Sequence, residues 1–367
     1  RINFIIKGPE NTIWNSDPYK TMPPRWHREP PPTQYWPINS FGQFARLYQI
    51  LPHTPPGKYS VQARIFNEES LEAVSFNINE IVSQDIDLGN VSVVRKPQDN
   101  KKAESINTKY DLGKITPQIV LVEGDSDKKT AAPGENITLH MLFAAKDNPT
   151  HNNLITLRIN GTPVKKLVEL TPGFSTSLWK KNDLWLGQHI VRIPVSTKNG
   201  FYKWEVISDS NSILTFGSIE IKEPKRIFTS PDVSTLSQVL FDNSVFLYGY
   251  DTNNFQQTNS TLKIVLVWKP TTTPNMPLNS FVHIENNSGT LVSQNDGVPG
   301  GWMRPSQGWV PNEYIIDEHV LRTDHLSFGE ELKVYVGLYN RETGIRLDIN
   351  DRNQSESRLL IGSFVVN

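Results

Sequence analysis

The chain contains no cysteine, which excludes a disulfide framework, a thiolate metal centre and a cysteine nucleophile. It has no surplus of either charge. With 37 Lys+Arg against 38 Asp+Glu, the basic excess that a general nucleic-acid binder sets against phosphate is missing. Long apolar runs are absent too: the best, Leu262–Trp268, is interrupted by Lys263 and falls far short of the roughly 20 residues that span a bilayer. No GxSxG, Walker or GxGxxG motif occurs, and the eight histidines form no HxH or HExxH pattern, so no nucleophile elbow, nucleotide site, zinc centre or other cofactor is signalled. The chain begins at Arg1 with neither Met nor a leader pattern, and reads as a processed product whose targeting or anchoring segment lies outside it.

What is present is aromatic and turn-rich: nine Trp, 16 Phe, 11 Tyr and 26 Pro. Helix-period patterns are scarce, whereas strict alternation recurs, as in Lys58–Phe66 (KYSVQARIF), Asn136–Phe143 (NITLHMLF) and Leu332–Tyr339 (LKVYVGLY). Pro56-Gly57, Pro133-Gly134, Asn160-Gly161, Pro172-Gly173, Asn199-Gly200, Ser288-Gly289 and Thr343-Gly344 punctuate these runs. Many short strands with such punctuation predict an all-β chain of β-sandwiches, Ig-like or jelly-roll-like.

A closing-strand pattern occurs three times: Leu88-Gly89-Asn90-Val91-Ser92-Val93, Phe216-Gly217-Ser218-Ile219-Glu220-Ile221 and Ile361-Gly362-Ser363-Phe364-Val365-Val366. Three endings predict three domains in tandem, at 1–95, 110–222 and 233–367, with the third a repeat of the second. Landmarks behind Gly161 (Gly173, Trp179, His189) recur behind Gly289 (Gly300, Trp309, His319), with the drift expected of loop-length changes. In the first unit, Phe44–Leu51 and Tyr59–Phe66 predict a strand pair across the HTPPG turn. Residues 18–37 carry seven prolines and suit no central strand.

One stretch carries a family pattern. Phe281-Val282-His283-Ile284 is followed by Gly289-Thr290-Leu291-Val292-Ser293-Gln294-Asn295-Asp296, then Pro299, Arg304-Pro305, Trp309, Glu313 and Asp317, and later Val336-Gly337-Leu338-Tyr339-Asn340 and Thr343-Gly344-Ile345-Arg346-Leu347. This resembles the extracytoplasmic β-sandwich domains that follow the membrane part of bacterial glycosyltransferases similar to protein mannosyltransferases, modules that also occur in other surface proteins. The likeness covers roughly residues 233–350, and 115–222 more loosely. The first unit resembles, at most, a jelly-roll carbohydrate-binding module. No multi-span catalytic region is present, so the resemblance implies fold and location rather than transferase activity.

The richest constellation is Gln294–Trp309 (QNDGVPGGWMRPSQGW). Trp302 and Trp309, with Gln294, Asn295, Asp296 and Arg304, predict a sugar-binding face in which rings stack on a pyranose and polar groups bond its hydroxyls. The alternative is that both rings pack the sandwich end and Arg304 pairs with Asp296. A second group, Trp14, Trp26, His27, Tyr35 and Trp36, predicts either a ligand-facing aromatic segment or a cover and inter-subunit docking strip. Asp348, Asn350, Asp351 and Asn353, like Asp125 and Asp127, read as solvated turns rather than calcium loops. The expectation is a non-enzymatic, extracytoplasmic surface protein that binds carbohydrate or assembles with cell-surface protein subunits, homo-oligomerisation included. The alternatives are an accessory region of a membrane glycosyltransferase and a glycan-active hydrolase.

Overall fold

Alternation in the sequence becomes alternation in burial. Along Asn136–Ala145, Ile137, Leu139, Met141 and Phe143 point inward and are fully buried while their neighbours are not. The computed structural model describes residues 2–14, 35, 37–43, 45, 47–65, 76–78, 81–83, 85–95, 112–208, 212–258, 261–326, 328–351 and 354–366. The fold is all-β; among the described residues no helix exceeds a single 3-10 turn.

The first strands are β1 (Ile2–Lys7), β2 (Gly57–Ile65), β3 (Phe76–Ile78), β4 (Ile81–Ser83) and β5 (Asp85–Val93). They form an antiparallel sheet ordered β1-β2-β5 and a separate β3-β4 hairpin. The predicted partner of β2 is corrected here. Both edges of β2 are taken, by β1 and β5, so residues 47–49 stay irregular and cover the sheet instead. Tyr48, Ile50 and Leu51 pack around the buried Ile6, Trp14 and Tyr59.

Next come β6 (Gly113–Lys114), β7 (Ile119–Ser126), β8 (Thr130–Ala131), β9 (Asn136–Ala145), β10 (Leu154–Ile159), β11 (Thr162–Glu169), β12 (Leu184–Arg192), β13 (Gly200–Ser208) and β14 (Ile213–Ile221). They form sheets ordered β11-β10-β13-β14-β8 and β12-β9-β7-β6. The last group is β15 (Thr235–Phe241), β16 (Val245–Asp251), β17 (Gln257–Thr258), β18 (Thr261–Pro270), β19 (Leu278–Asn286), β20 (Leu291–Gly297), β21 (Ile315–Arg322), β22 (Glu331–Asn340), β23 (Ile349–Asp351), β24 (Gln354–Glu356) and β25 (Leu359–Val365). One sheet runs β20-β19-β22-β25; the other runs β17-β18-β16-β15-β23-β24, with β21 added to β18. By compactness the chain divides into two units: Arg1–Lys129 with Ile137–Val191 and Phe201–Ile219, and Thr130–Asn136 with Arg192–Gly200 and Glu220–Asn367.

One strand order therefore occurs twice: β11-β10-β13-β14 against β12-β9-β7-β6, and β20-β19-β22-β25 against β21-β18-β16-β15. The glycine of the closing strands also has a common cause. Gly89, Gly217 and Gly362 have φ of 101°, 53° and 155°, and at Gly89 and Gly362 the ladder slips by one residue, as a bulge requires.

The corner between β11 and β12 is rebuilt between β20 and β21. A 3-10 turn, Thr176–Leu178 or Ser306–Gly308, leads into a buried tryptophan, Trp179 or Trp309. A buried hydroxyl ties each turn to the entry of the neighbouring strand. Thr176 Oγ1 accepts from Asn153 N (2.8 Å) and donates to His151 O (2.9 Å), while Ser306 Oγ accepts from Leu278 N (2.8 Å) and donates to Met276 O (2.9 Å). Four residues past each tryptophan stands a buried carboxylate, Asp183 or Glu313. An arginine from the stretch behind the preceding closing strand clasps it: Arg95 binds Asp183 and donates to Leu178 O at 3.2 Å, and Arg226 binds Glu313 at 2.7 Å and donates to Gly308 O at 3.1 Å.

Candidate functional site

The structure separates the residues that the sequence placed in one constellation. Gln294 and Asp296 belong to β20, opposite His283 and Phe281 of β19. On β19, Leu278, Val282 and Ile284 enter the core, so Phe281, His283 and Glu285 lie on the sheet's other face, and Gln294 and Asp296 with them. Gln294 is exposed. Asp296 Oδ1 meets His283 Nε2 at 3.1 Å. This corrects the expected Arg304–Asp296 pair. Arg304 lies beyond the turn and under Trp309, where it binds Glu313 together with Arg226. Burial, then the neighbouring Arg226 charge, pushes the Arg304 guanidinium down to about 10.

Trp309 is a packing residue. It is fully buried in the cluster that contains Leu278, Ile315 and Leu338, and its indole N–H donates to Arg304 O at 2.7 Å, so no ring face is left for a ligand. Trp302 is the opposite case. Its side chain is 53% exposed, as is most of neighbouring Met303. Gly300, Gly301 and Trp302 follow one another in the left-handed region with φ of 71°, 65° and 69°. A bulky residue there is strained by about 1 kcal/mol or more, and the strain is held by bonds from Trp302 N to Val298 O (3.0 Å) and Arg304 N to Pro299 O (3.1 Å). The ring lies against Gly297, where an added Cβ would come within 3.0 Å of Cε2 and Cζ2. Glycine therefore backs one side of the indole and the rest faces solvent.

Beneath this loop is a polar network closed to solvent. Asp317 Oδ2 accepts from Ser280 Oγ (2.6 Å), Trp268 Nε1 (3.1 Å) and His319 Nε2 (3.1 Å), and Oδ1 accepts from Gly300 N (2.8 Å). His319 Nδ1 faces Asn295 O and Oδ1 at 3.1 and 2.9 Å. Burial drives the Asp317 carboxyl upward, but the bonds from His319, Ser280 and Gly300 outweigh it and hold the group below the usual carboxylate range. Ser, His and Asp meet here, yet Ser280 and Asp317 share one histidine nitrogen and all three are buried, so the group fixes the loop that carries Trp302 rather than presenting a nucleophile.

In the N-terminal group Trp14 is buried; its N–H donates to Thr12 Oγ1 at 2.7 Å and its ring meets Tyr59 edge-on at 5.6 Å. Tyr35 is exposed, and Trp26, His27 and Trp36 lie outside the described residues. Asp125 and Asp127 cap backbone N–H groups of Ser126 and Thr138. Among the described residues no group of three His, Asp or Glu is placed to hold a metal, and no helix is long and apolar enough to cross a membrane. A shallow depression of about 300 Å³, between the β15–β16 turn and the β18–β19 connection, is lined by one carboxylate, Asp242, and by no aromatic ring. Sequence reasoning missed the polar face of β19 with its partners Arg346 and Arg358; the signal was the alternation Phe281-His283-Glu285, whose second face is as distinctive as its first.

Neither a family model nor a curated protein matches the chain. Among solved structures, the chain is similar to a Bacteroides ovatus protein, SGBP-B of a mixed-linkage glucan utilization locus in complex with a mixed-linkage heptasaccharide, with 10% identity and a TM-score of 0.16. The match covers all of this chain and 60% of that one. A similarity of that size carries no argument about what this chain binds.

Proposed function

We propose that the chain is a non-enzymatic, extracytoplasmic surface protein that binds carbohydrate through its β-sandwiches, arranged as bodies ending near residues 95, 222 and 367, with Trp302 as the central contact. Trp302 is the observation that carries this reading: a large ring held in a strained left-handed conformation on a surface loop, backed by a glycine and open to solvent. Strain of that kind persists where surrounding structure enforces it, and clusters at ligand contacts. An indole held this way stacks on the apolar face of a pyranose.

A glycan array probed with wild type and Trp302→Ala tests it. Loss of one aromatic platform weakens binding by about tenfold or more at unchanged fold; equal binding by both proteins removes Trp302 from the site. Self-assembly is the second reading, favoured by β21. Among the described residues this strand pairs only with β18 and leaves an edge with half-exposed Ile316 and Val320. Light scattering that shows a monomer at high concentration contradicts it. An accessory place beside a membrane glycosyltransferase rests on the resemblance of residues 281–347.

A further inference from the structure

The second face of the β20-β19-β22-β25 sheet is built like a site. Phe281, His283 and Glu285 on β19 stand opposite Gly337, Tyr335 and Lys333 on β22. At Gly337 an added Cβ would come within 2.5 Å of Phe281 Cζ, so the glycine lets the phenylalanine ring lie down across the neighbouring strand. Arg346 covers that ring, with Cζ 4.6 Å from its centroid, and Arg358 covers Tyr335 at 4.0 Å. Glu285 holds Arg358, and Asp296 faces His283. Arg346 has no carboxylate within ion-pair distance among the described residues; its hydrogen-bond contact is the ring nitrogen of His283, Nδ1, at a long 3.4 Å. Burial pushes the Arg346 guanidinium below its ordinary value and the charge of Arg358 pushes the same way, while the nearby carboxylates of Asp296 and Glu285 pull it back without cancelling them. A half-buried guanidinium without an ion pair among the described residues is complementary to a planar oxyanion, which it grips through two parallel bonds.

We infer that Arg346 receives the carboxylate of an acidic sugar, a uronic-acid residue of a glycan laid along β20 and β19. This rests on the carbohydrate-binding reading above. A sugar fits better than an acidic peptide because the same face carries both donors and acceptors, the Gln294 amide, the Asp296 carboxylate and the Tyr335 phenol, and because Asp296 and Glu285 repel a densely anionic chain.

Titration calorimetry on the full chain tests this with three probes: an oligosaccharide of neutral sugars bearing a single uronic-acid residue, its methyl ester and an oligoglutamate. The acid is expected to bind about tenfold or more tightly than its ester. Arg346→Gln is expected to bring the acid down to the level of the ester, and Arg346→Lys to restore part of the loss by charge without the fork. The ester comparison needs no variant, so it stands even if Arg346→Gln misfolds. Acid and ester binding equally, an acid affinity unmoved by Arg346→Gln, or oligoglutamate binding as tightly as the sugar would each overturn the inference. A wild type that binds neutral sugars without preferring the acid sinks this inference alone; one that binds no sugar of any kind takes the carbohydrate reading with it.

Discussion

The two sandwiches that share a strand order bury a histidine at the same place and provide for it in opposite ways. In the C-terminal one, His319 shares the Asp317 carboxylate with Trp268 and Ser280. In the middle one, counted from the starts of β9 and β18, from Asn153 and Leu278, whose N–H groups the turn hydroxyls hold, and from the two histidines, Phe143 stands where Trp268 does, Ile155 where Ser280 does and Gly187 where Asp317 does. The carboxylate and two of its three side-chain donors are gone together, and the histidine alone is kept. In their place Leu170 O accepts from His189 Nε2 at 3.1 Å, and an added Cβ at Gly187 would come within 2.1 Å of that carbonyl. His189 Nδ1 and both ends of the Gln188 amide find no partner among the described residues, and burial pushes the His189 pKa down to about 3. The carboxylate, the indole and the hydroxyl change together between the two sandwiches, while the histidine is kept and carries the cost of an unpartnered nitrogen among the described residues.

The largest effect expected of a single change is at the clasps. Glu313→Ala leaves Arg226 and Arg304 buried without a counter-charge and costs about 3–5 kcal/mol in urea unfolding. Asp183→Ala releases one arginine rather than two: Arg95, whose side chain is 25% exposed, rehydrates, and the Lys180 N–H loses its acceptor, so the loss is about 1–2 kcal/mol. Equal losses would break the comparison. Next is Asp317→Gly, at about 2–4 kcal/mol, since it strands the Trp268 N–H, Ser280 and His319. Adding Trp268→Phe and Ser280→Ile, as in the middle sandwich, is expected to recover part of that loss; a triple variant that is worse by the sum of its parts would show that the set is not a unit.

The pH dependence differs too. The folded His189 pKa lies below its ordinary 6.5, so the unfolded chain binds more protons and stability falls as pH drops from about 6.5 towards 3. Burial lowers His53 and His140 in the same direction. Asp317 acts lower down: its contribution is complete above about 3.8 and is lost as pH falls through its depressed folded value. Hydrogen exchange read strand by strand is expected to show β12 loosening first on acidification, with His189→Leu removing that sensitivity; simultaneous loosening of β12 and β21 at every pH would contradict it. The smallest effect belongs to Trp302→Gly, where relief of the left-handed backbone offsets the lost ring contact and stability shifts by less than about 1 kcal/mol.

Alternation made the strands legible, because a half-buried sheet imposes its period directly on the sequence, and the closing-strand glycines were legible because a bulge tolerates little else. The landmarks Trp179 and Trp309, and His189 and His319, were visible as a recurrence and do occupy matching corners of the two strand orders. What the sequence concealed was direction. Arg304 and Asp296 are eight residues apart on one loop, yet a strand's alternation sends Asp296 to the outer face while the turn folds Arg304 under Trp309. The clasps were hidden for a related reason. Arg95 and Asp183, or Arg226 and Glu313, are more than 80 residues apart, and nothing local marks such a pair until the corner is built. For the Arg346 face, the stacking partners come from β19, β22 and the segment behind it, so only the register brings them together.

The carbohydrate reading is tested most directly by a hydrogen-exchange footprint of the full chain with and without the tightest oligosaccharide from the array. Protection is expected over residues 294–304, around Trp302, with no change at the matching corner of the middle sandwich, residues 170–178. Protection confined to the middle corner, or none in the C-terminal sandwich under saturating sugar, would contradict it.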